Sequence, residues 1–326
     1  MDPQNLILRD AARRRKAARG LTDRVILGLI GLLAAFSLAG VASAWIPQME
    51  TFGNLQGYLG AGGFVAIMLT LLLRAPRWGT LATAVVVLNV ATIVYRTTLV
   101  ETCPIQMAAT GHSAVRVMSH NILHDNRDFG AIERVVREAR PDIVVLQEIR
   151  PSHRPLFARL ADLYPYQSAC PKGRFCGIKI LSRYPLESRD TVNGRLGEMI
   201  ALDNVVSIGG RKLTLLGVHM VRPFSGRTQR AQFDRLFAAV AKLPPDALIA
   251  GDFNSVRWSA NMARYAAGAR VCDANASDAT WPVWLGPAGI PIDHVFLKPG
   301  LRLLSVATLG GSGSDHKALL ATIGLR

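Results

Sequence analysis

Three long apolar runs open the chain and none follows them. Residues 25–47 (VILGLIGLLAAFSLAGVASAWIP) carry no charge, and a helix rising about 1.5 Å per residue over that length spans the roughly 30 Å hydrocarbon layer of a bilayer. Two further runs cover residues 57–73 (GYLGAGGFVAIMLTLLL) and 79–95 (GTLATAVVVLNVATIVY). Beyond about residue 100 the spacing becomes that of a water-soluble fold. Alternating or β-branched stretches predict strands at 115–122, 143–147, 177–181, 199–207, 213–219, 247–250, 294–297, 301–309 and 318–323. Helical spacing predicts helices at 129–140, 152–163 and 226–242. The pattern divides the chain into a basic segment (1–24), an anchor of three membrane helices (25–100), a linker (101–114) and one soluble domain (115–326). Many strands with a few intervening helices imply an α/β or α+β layered sandwich, two sheets covered by helices.

Charge orients the anchor. Arg9, Arg13, Arg14, Arg15, Lys16, Arg19 and Arg24 precede the first run, the loop after it holds only Glu50, and the next loop holds Arg74 and Arg77. Basic residues mark the cytoplasmic side. The expectation is a multi-pass protein of the inner (plasma) membrane, with its N-terminus inside and, after three crossings, its soluble domain facing the periplasm or exterior. Ala42-Ser43-Ala44 also reads as a signal-peptidase site, but removal of that leader leaves the same side for the domain, and the long first run favours an uncleaved helix.

Composition changes the picture only when it is divided in the same way. The 326 residues hold 38 Lys+Arg against 23 Asp+Glu, a net charge of +15, with half of the chain apolar. That apolar content excludes a disordered chain, and the length excludes a minimal disulfide scaffold. Ten basic and four acidic residues lie in the first hundred, leaving 28 and 19, or +9, in the soluble part. Such a surface suits an anionic partner, nucleic acid or a phospholipid headgroup. Cys103, Cys170, Cys176 and Cys272 all follow the anchor, and an even number in an oxidising compartment invites disulfides. Cys170 with Cys176, across a short turn, is the favoured pair, and Cys103 with Cys272 the weaker one. The linker, reaching about 50 Å at most, keeps the domain near the bilayer surface.

Polar residues gather at the predicted strand ends: Asn121, Gln147-Glu148, His219, Gly251-Asp252-Phe253-Asn254, Asp293-His294 and Ser314-Asp315-His316. Several carboxylates with an amide oxygen make a hard-oxygen pocket suited to Mg²⁺ or Mn²⁺ beside a phosphate. An Asp/His couple holds an imidazolium that stabilises phosphoryl charge. Together they describe hydrolysis of a phosphoester by activated water. The ordered series, with Gly177 to Pro185 (GIKILSRYP), resembles the endonuclease/exonuclease/phosphatase superfamily over residues 112–326. Thr280-Trp281-Pro282 and Gly289 to His294 are similar to bacterial members with an N-terminal multi-helix anchor.

The resemblance implies a DNase I-like, four-layered α/β sandwich and a role for each residue. Glu148 would bind the divalent metal, supported by Asn121, with Asp315 helping to hold metal or site. Asp252 would align or deprotonate the attacking water, and Asn254 would donate to a phosphate oxygen. Asp293 would orient His316 against the scissile phosphate, with His219 on another phosphate oxygen. From the residues alone, Trp281 and Arg222, along with Trp284, Arg227 and Arg230, either flank the cleft and contact substrate by stacking and charge, or pack their loop down and form the solvated face of a helix. His294 should point away from Asp293, since neighbours on a strand face opposite sides, and its role stays open. The expected activity is that of a membrane-anchored phosphodiesterase, a nuclease first. The alternatives are a phospholipid or other headgroup phosphodiesterase or phosphatase, and an inactive membrane-held binding module.

Overall fold

The computed structural model describes residues 3–107, 113–169, 176–194, 197–275 and 278–325. It divides into two compact units, residues 1–95 and 96–326. The first unit is helical: α1 (Pro3–Ala42), α2 (Glu50–Asn54), α3 (Gln56–Leu72) and α4 (Gly79–Thr98), the last running into the second unit. Gly20–Ala42 in α1, and Pro76–Thr98, which joins a 3₁₀ turn to α4, are long and apolar enough to cross a membrane. The second predicted run, 57–73, coincides with α3, which follows a short helical stretch, Pro47–Asn54, at a bend of 56°; among the described residues two helices are long and apolar enough to cross a membrane, or up to three if the bent pair counts as one. Helix α1 also extends back through the basic N-terminal segment instead of starting at the apolar run.

Among the described residues, the second unit has twelve strands in two six-stranded sheets. They are β1 (Ser113–Asn121), β2 (Ile143–Gln147), β3 (Tyr166–Gln167), β4 (Ile178–Ser182), β5 (Leu186–Asn193), β6 (Met199–Ile208), β7 (Arg211–His219), β8 (Ala247–Asp252), β9 (Cys272–Asp273), β10 (Asp293–Leu297), β11 (Leu301–Leu309) and β12 (Ala318–Leu325). One sheet runs β11-β12-β1-β2-β4-β3 and the other β5-β6-β7-β8-β10-β9. Period-two alternation explains how they stack. Val115, Val117, Val145 and Ile180 of the first sheet meet Leu215, Leu248, Ala250 and Val295 of the second in one buried core.

The opposite faces carry the helices. Met118, Val144 and Leu146 pack beneath α5 (Phe129–Ala139) and α6 (Arg154–Arg159), and Leu216, Val218 and Ile249 beneath α7 (Gly226–Val240) and α8 (Ala260–Ala269). The result is the four-layered α/β sandwich. Helix α5 illustrates the local rules: Asp128 caps its first turn by accepting from the Ala131 amide at 2.9 Å, and Arg140, in a left-handed conformation ahead of Pro141, ends it.

The chain leaving α4 is held on this unit. Thr102 pairs with Asp273 and Ile105 with Leu303 as short parallel bridges, and Cys103 is bonded to Cys272 across 169 residues. Thus the pairing judged weaker from sequence is formed, because the strap lays Cys103 beside β9, a proximity that no spacing along the chain reveals. Cys176 is also disulfide-bonded, while Cys170 lies outside the described residues.

Candidate active site

The same alternation that builds the core delivers the polar residues to one rim. Counting back along the inward face, β1 reads Val115, Val117, Ser119, Asn121; β7 reads Leu213, Leu215, Gly217, His219; β8 reads Leu248, Ala250, Asp252; and β10 reads Asp293, Val295, Leu297. Strands β1 and β2 are parallel, as are β7 and β8, and their carboxyl ends coincide. Strand β10 is antiparallel to β8, pairing Asp293 with Asp252, and β12 is antiparallel to β1, so their starts fall at the same edge.

Close approach matters at Gly251, where a Cβ would lie 1.9 Å from the Val218 carbonyl oxygen. The turns beyond the strands are unusual. Leu123 (φ 61°), Glu148 (φ 60°) and Asn254 (φ 48°) all occupy the left-handed region. For a residue with a Cβ this costs about 1–2 kcal/mol, and such strain clusters at functional sites.

Asp252 is the centre of the arrangement. Its Oδ2 accepts from Asn121 Nδ2 at 2.9 Å and Asn254 Nδ2 at 3.1 Å, with His219 Nε2 at 3.8 Å and His316 Nε2 at 3.9 Å. Its Oδ1 accepts from the Asn254 amide at 2.8 Å. Burial pushes the Asp252 carboxyl above the usual range, helped by the neighbouring Asp293 and opposed by His316 and His219. Asp293 Oδ2 accepts from His316 Nδ1 at 2.9 Å. Burial disfavours the His316 cation, but the two carboxylates outweigh it and push the imidazole up to about 10. Ser314 ties this loop to β1 by donating to the Asn121 carbonyl at 2.7 Å and accepting from the His316 amide at 3.1 Å.

Glu148 stands opposite. Its Oε1 accepts from Asn121 Nδ2 at 3.2 Å and lies 3.9 Å from His219 Nε2. Its Oε2 accepts from both the backbone amide of His124 (2.9 Å) and His124 Nδ1 (2.6 Å). Burial opposes ionisation, yet these donors, aided by Asn121 and His219, hold the carboxyl down at about 2. Two carboxylates, Glu148 and Asp252, stand near His219 Nε2. The structure also brings in His124, which the motif series passed over; its signal was a histidine three residues beyond Asn121 in the same post-strand turn.

The remaining sequence candidates sit at the edges. Trp281 donates from Nε1 to Asp315 Oδ2 at 2.9 Å and its ring lies 6.4 Å from that of His316, so Trp281 and Asp315 brace the rim. Asn254 Nδ2 also donates to the Met220 carbonyl at 2.9 Å. Arg222 is exposed two residues beyond Met220, and among the described residues no side-chain hydrogen bond or ion pair joins it to the site. Arg230 turns to Asn261 between α7 and α8. Trp284 is 78% exposed. His294 points away from Asp293, as the alternation requires, into the outer face of its sheet.

The donor set fits a hard divalent cation. It is rich in carboxylate oxygen and free of thiolate. Asp293 Oδ1 is buried with no hydrogen-bond partner, and Asp252, Asp293 and His316 place donor atoms within 4.8 Å of one another. A protonated His316, however, has no lone pair to give, so the carboxylates carry the capacity for metal, and Glu148 is held ionised by its donors.

The family model described as Endonuclease/Exonuclease/phosphatase family matches residues 118–316. Among solved structures, an endonuclease/exonuclease/phosphatase from Beutenbergia cavernae is 22% identical, with a TM-score of 0.55, covering 65% of this chain and 72% of that one. Truncated TDP2 of Caenorhabditis elegans is 24% identical (TM-score 0.52; 65% of this chain, 98% of that one). TDP2 of D. rerio, complexed with a single-strand DNA product, is 20% identical (TM-score 0.53; 65% and 99%). No curated protein matches the chain. With the matched span running from β1 through His316 and enclosing the whole rim, the chain belongs to the endonuclease/exonuclease/phosphatase family, and so to the metal-dependent hydrolases of phosphoester bonds.

Proposed function

We propose that the protein is a membrane-anchored phosphodiesterase acting on nucleic acid, with Asp252 as the base that handles the attacking water. One observation carries this reading: a single buried oxygen, Asp252 Oδ2, is approached by Asn121, Asn254, His219 and His316. An acceptor aimed by so many fixed groups is preorganised for one proton. Asn121 and Asn254 orient the carboxylate. Asp293 keeps His316 cationic, so that it stabilises the charge that develops on the phosphate, and His219 faces the same space from the other side. Glu148, with Asn121 beside it and Asp315 behind Trp281, holds the metal, Mg²⁺ or Mn²⁺. When bound, the metal neutralises charge on a phosphate oxygen and eases departure of the leaving oxygen.

The substrate choice rests on the rim and on charge. The soluble part carries +9, exposed Arg222 stands on the loop beyond His219 and exposed Arg227 in the first turn of α7, and the exposed rings of Phe224 and Trp284 lie on two rim loops. Aromatic faces and arginines serve splayed bases and phosphates. In this reading the catalytic unit lies outside the inner membrane, with α2 and α3 counted as one crossing. The test uses the full chain in detergent with Mg²⁺ or EDTA on single-stranded DNA, plasmid DNA, RNA and phospholipid vesicles. Metal-dependent cleavage of nucleic acid supports the proposal; cleavage of lipid alone transfers the site to headgroups; no cleavage of any of them by folded protein overturns it.

A further inference from the structure

His294 stands next to Asp293 yet serves the other face of the strand. It is fully buried, and both ring nitrogens meet pure acceptors: Nδ1 donates to Asp273 Oδ2 at 2.8 Å and Nε2 to the Ser255 carbonyl at 2.9 Å. Ser255 closes the turn that carries Asp252 and Asn254, and Asn254 is held there at φ 48°. A left-handed residue in a turn that aims a catalytic carboxylate needs support from outside the turn.

Two hooks supply it. His294 is the first. The second is Arg257, in the same loop, whose guanidinium donates to the Val100 carbonyl and, at 2.9 Å, to Thr102 Oγ1, with Asp273 Oδ2 3.8 Å away. Asp273 is itself fixed. Its backbone exchanges hydrogen bonds with Glu101 and Cys103 at 2.8 and 2.9 Å, its Oδ1 accepts from the Asn275 amide at 3.0 Å, and its neighbour Cys272 is bonded to Cys103. Phe253 and Phe296 wall the imidazole edge-on and face-on, with centroids 5.6 and 5.5 Å away.

We infer that His294 is a positioning residue: from behind the sheet it holds the Asp252–Ser255 turn in register through the Ser255 carbonyl, with Asp273 and the disulfide-clamped strap as its fixed base. Strand β10 thereby serves the site from both faces, Asp293 orienting His316 on the inner side and His294 holding the Asp252 turn on the outer side. The inference rests on the reading of Asp252 as the base.

The test compares the full-length protein in detergent with His294→Phe, which keeps the aromatic walls but removes both donors, and with His294→Gln, which restores an amide donor. Hydrolysis of bis(p-nitrophenyl) phosphate with Mg²⁺ gives kcat and KM, and hydrogen exchange by mass spectrometry follows peptides covering residues 248–258. Expected for His294→Phe are a kcat at least tenfold lower with KM within twofold, faster exchange confined to that peptide, and recovery of most of the kcat in His294→Gln. An unchanged kcat, or equal loss in both variants, overturns the inference. Should His294→Phe not fold, Asp273→Asn decides: a several-fold drop in kcat at constant KM supports the inference, and a wild-type kcat sinks it. If the wild type itself does not cleave the probe, the functional reading fails instead, and the exchange data alone decide whether His294 holds the turn.

Discussion

At the scale of single residues the site is a set of opposed protonation states. Asp252 is a buried carboxylate whose burial raises it, His316 a cation held to about 10, and Glu148 an anion held to about 2. Replacing Asp252 with Ala removes the proposed base and is expected to lower kcat by about 10²- to 10⁴-fold, with the circular-dichroism spectrum and melting profile retained.

Stability responds to these groups with definite sign. His316 is raised above its ordinary 6.5, so its stabilisation is complete below that pH and is lost as pH climbs through about 10. Glu148 is depressed from 4.5, so its contribution is complete above that pH and is lost as pH falls toward about 2. In EDTA, the difference in melting temperature between wild type and His316→Gln should shrink as pH rises from 7 to 10; a constant difference would refute the assignment. Cleavage rates should likewise decline on the alkaline side near the His316 value.

Among elements, the outcome turns on strand ends. Asn121, His219, Asp252 and Asp293 were legible from sequence because strand alternation and the motif series both point to them, and their convergence follows from parallel pairing of β1 with β2 and β7 with β8. Strand β5 (LESRDTVN) was not read as a strand because it is polar and half exposed, an edge whose pairing with β6 replaces the hydrophobic signal. Helix α8 was missed since alanines dominate it and its start lies in the Ser259 cap, which accepts from the Met262 amide at 3.0 Å. The helix expected over 152–163 shrinks to a single 3₁₀ turn followed by α6, with Pro151 and Pro155 restricting its start. His124 and the strap against β9 were hidden because both depend on contacts distant in sequence.

Gly251→Ala should drive β7 and β8 apart beside His219 and Asp252. Overpacking typically costs 1–3 kcal/mol, and a contact with backbone places this variant at about 3 kcal/mol or above in denaturant titration. Opening the Cys103–Cys272 bond, which closes a loop across 169 residues, removes about 5 kcal/mol by the chain-entropy argument; the midpoint difference between wild type and Cys103→Ser/Cys272→Ser measures it.

For the whole molecule, the averaged composition concealed two unlike units. The first hundred residues carry +6 beside two helices long and apolar enough to cross a membrane, and the remainder, which holds the cluster of carboxylates, carries +9. The side on which the catalytic unit lies depends on whether the bent α2–α3 pair crosses the bilayer. A C-terminal alkaline phosphatase fusion is expected to be active and a fluorescent-protein fusion dark; the reverse would mean that only α1 and α4 cross. The account stands most directly on one measurement, the initial rate of single-stranded DNA cleavage by the full chain with Mg²⁺, with EDTA, and by Asp252→Ala with Mg²⁺. It predicts cleavage in the first case alone, with the variant folded. Cleavage that persists in EDTA or in the Asp252 variant would contradict it.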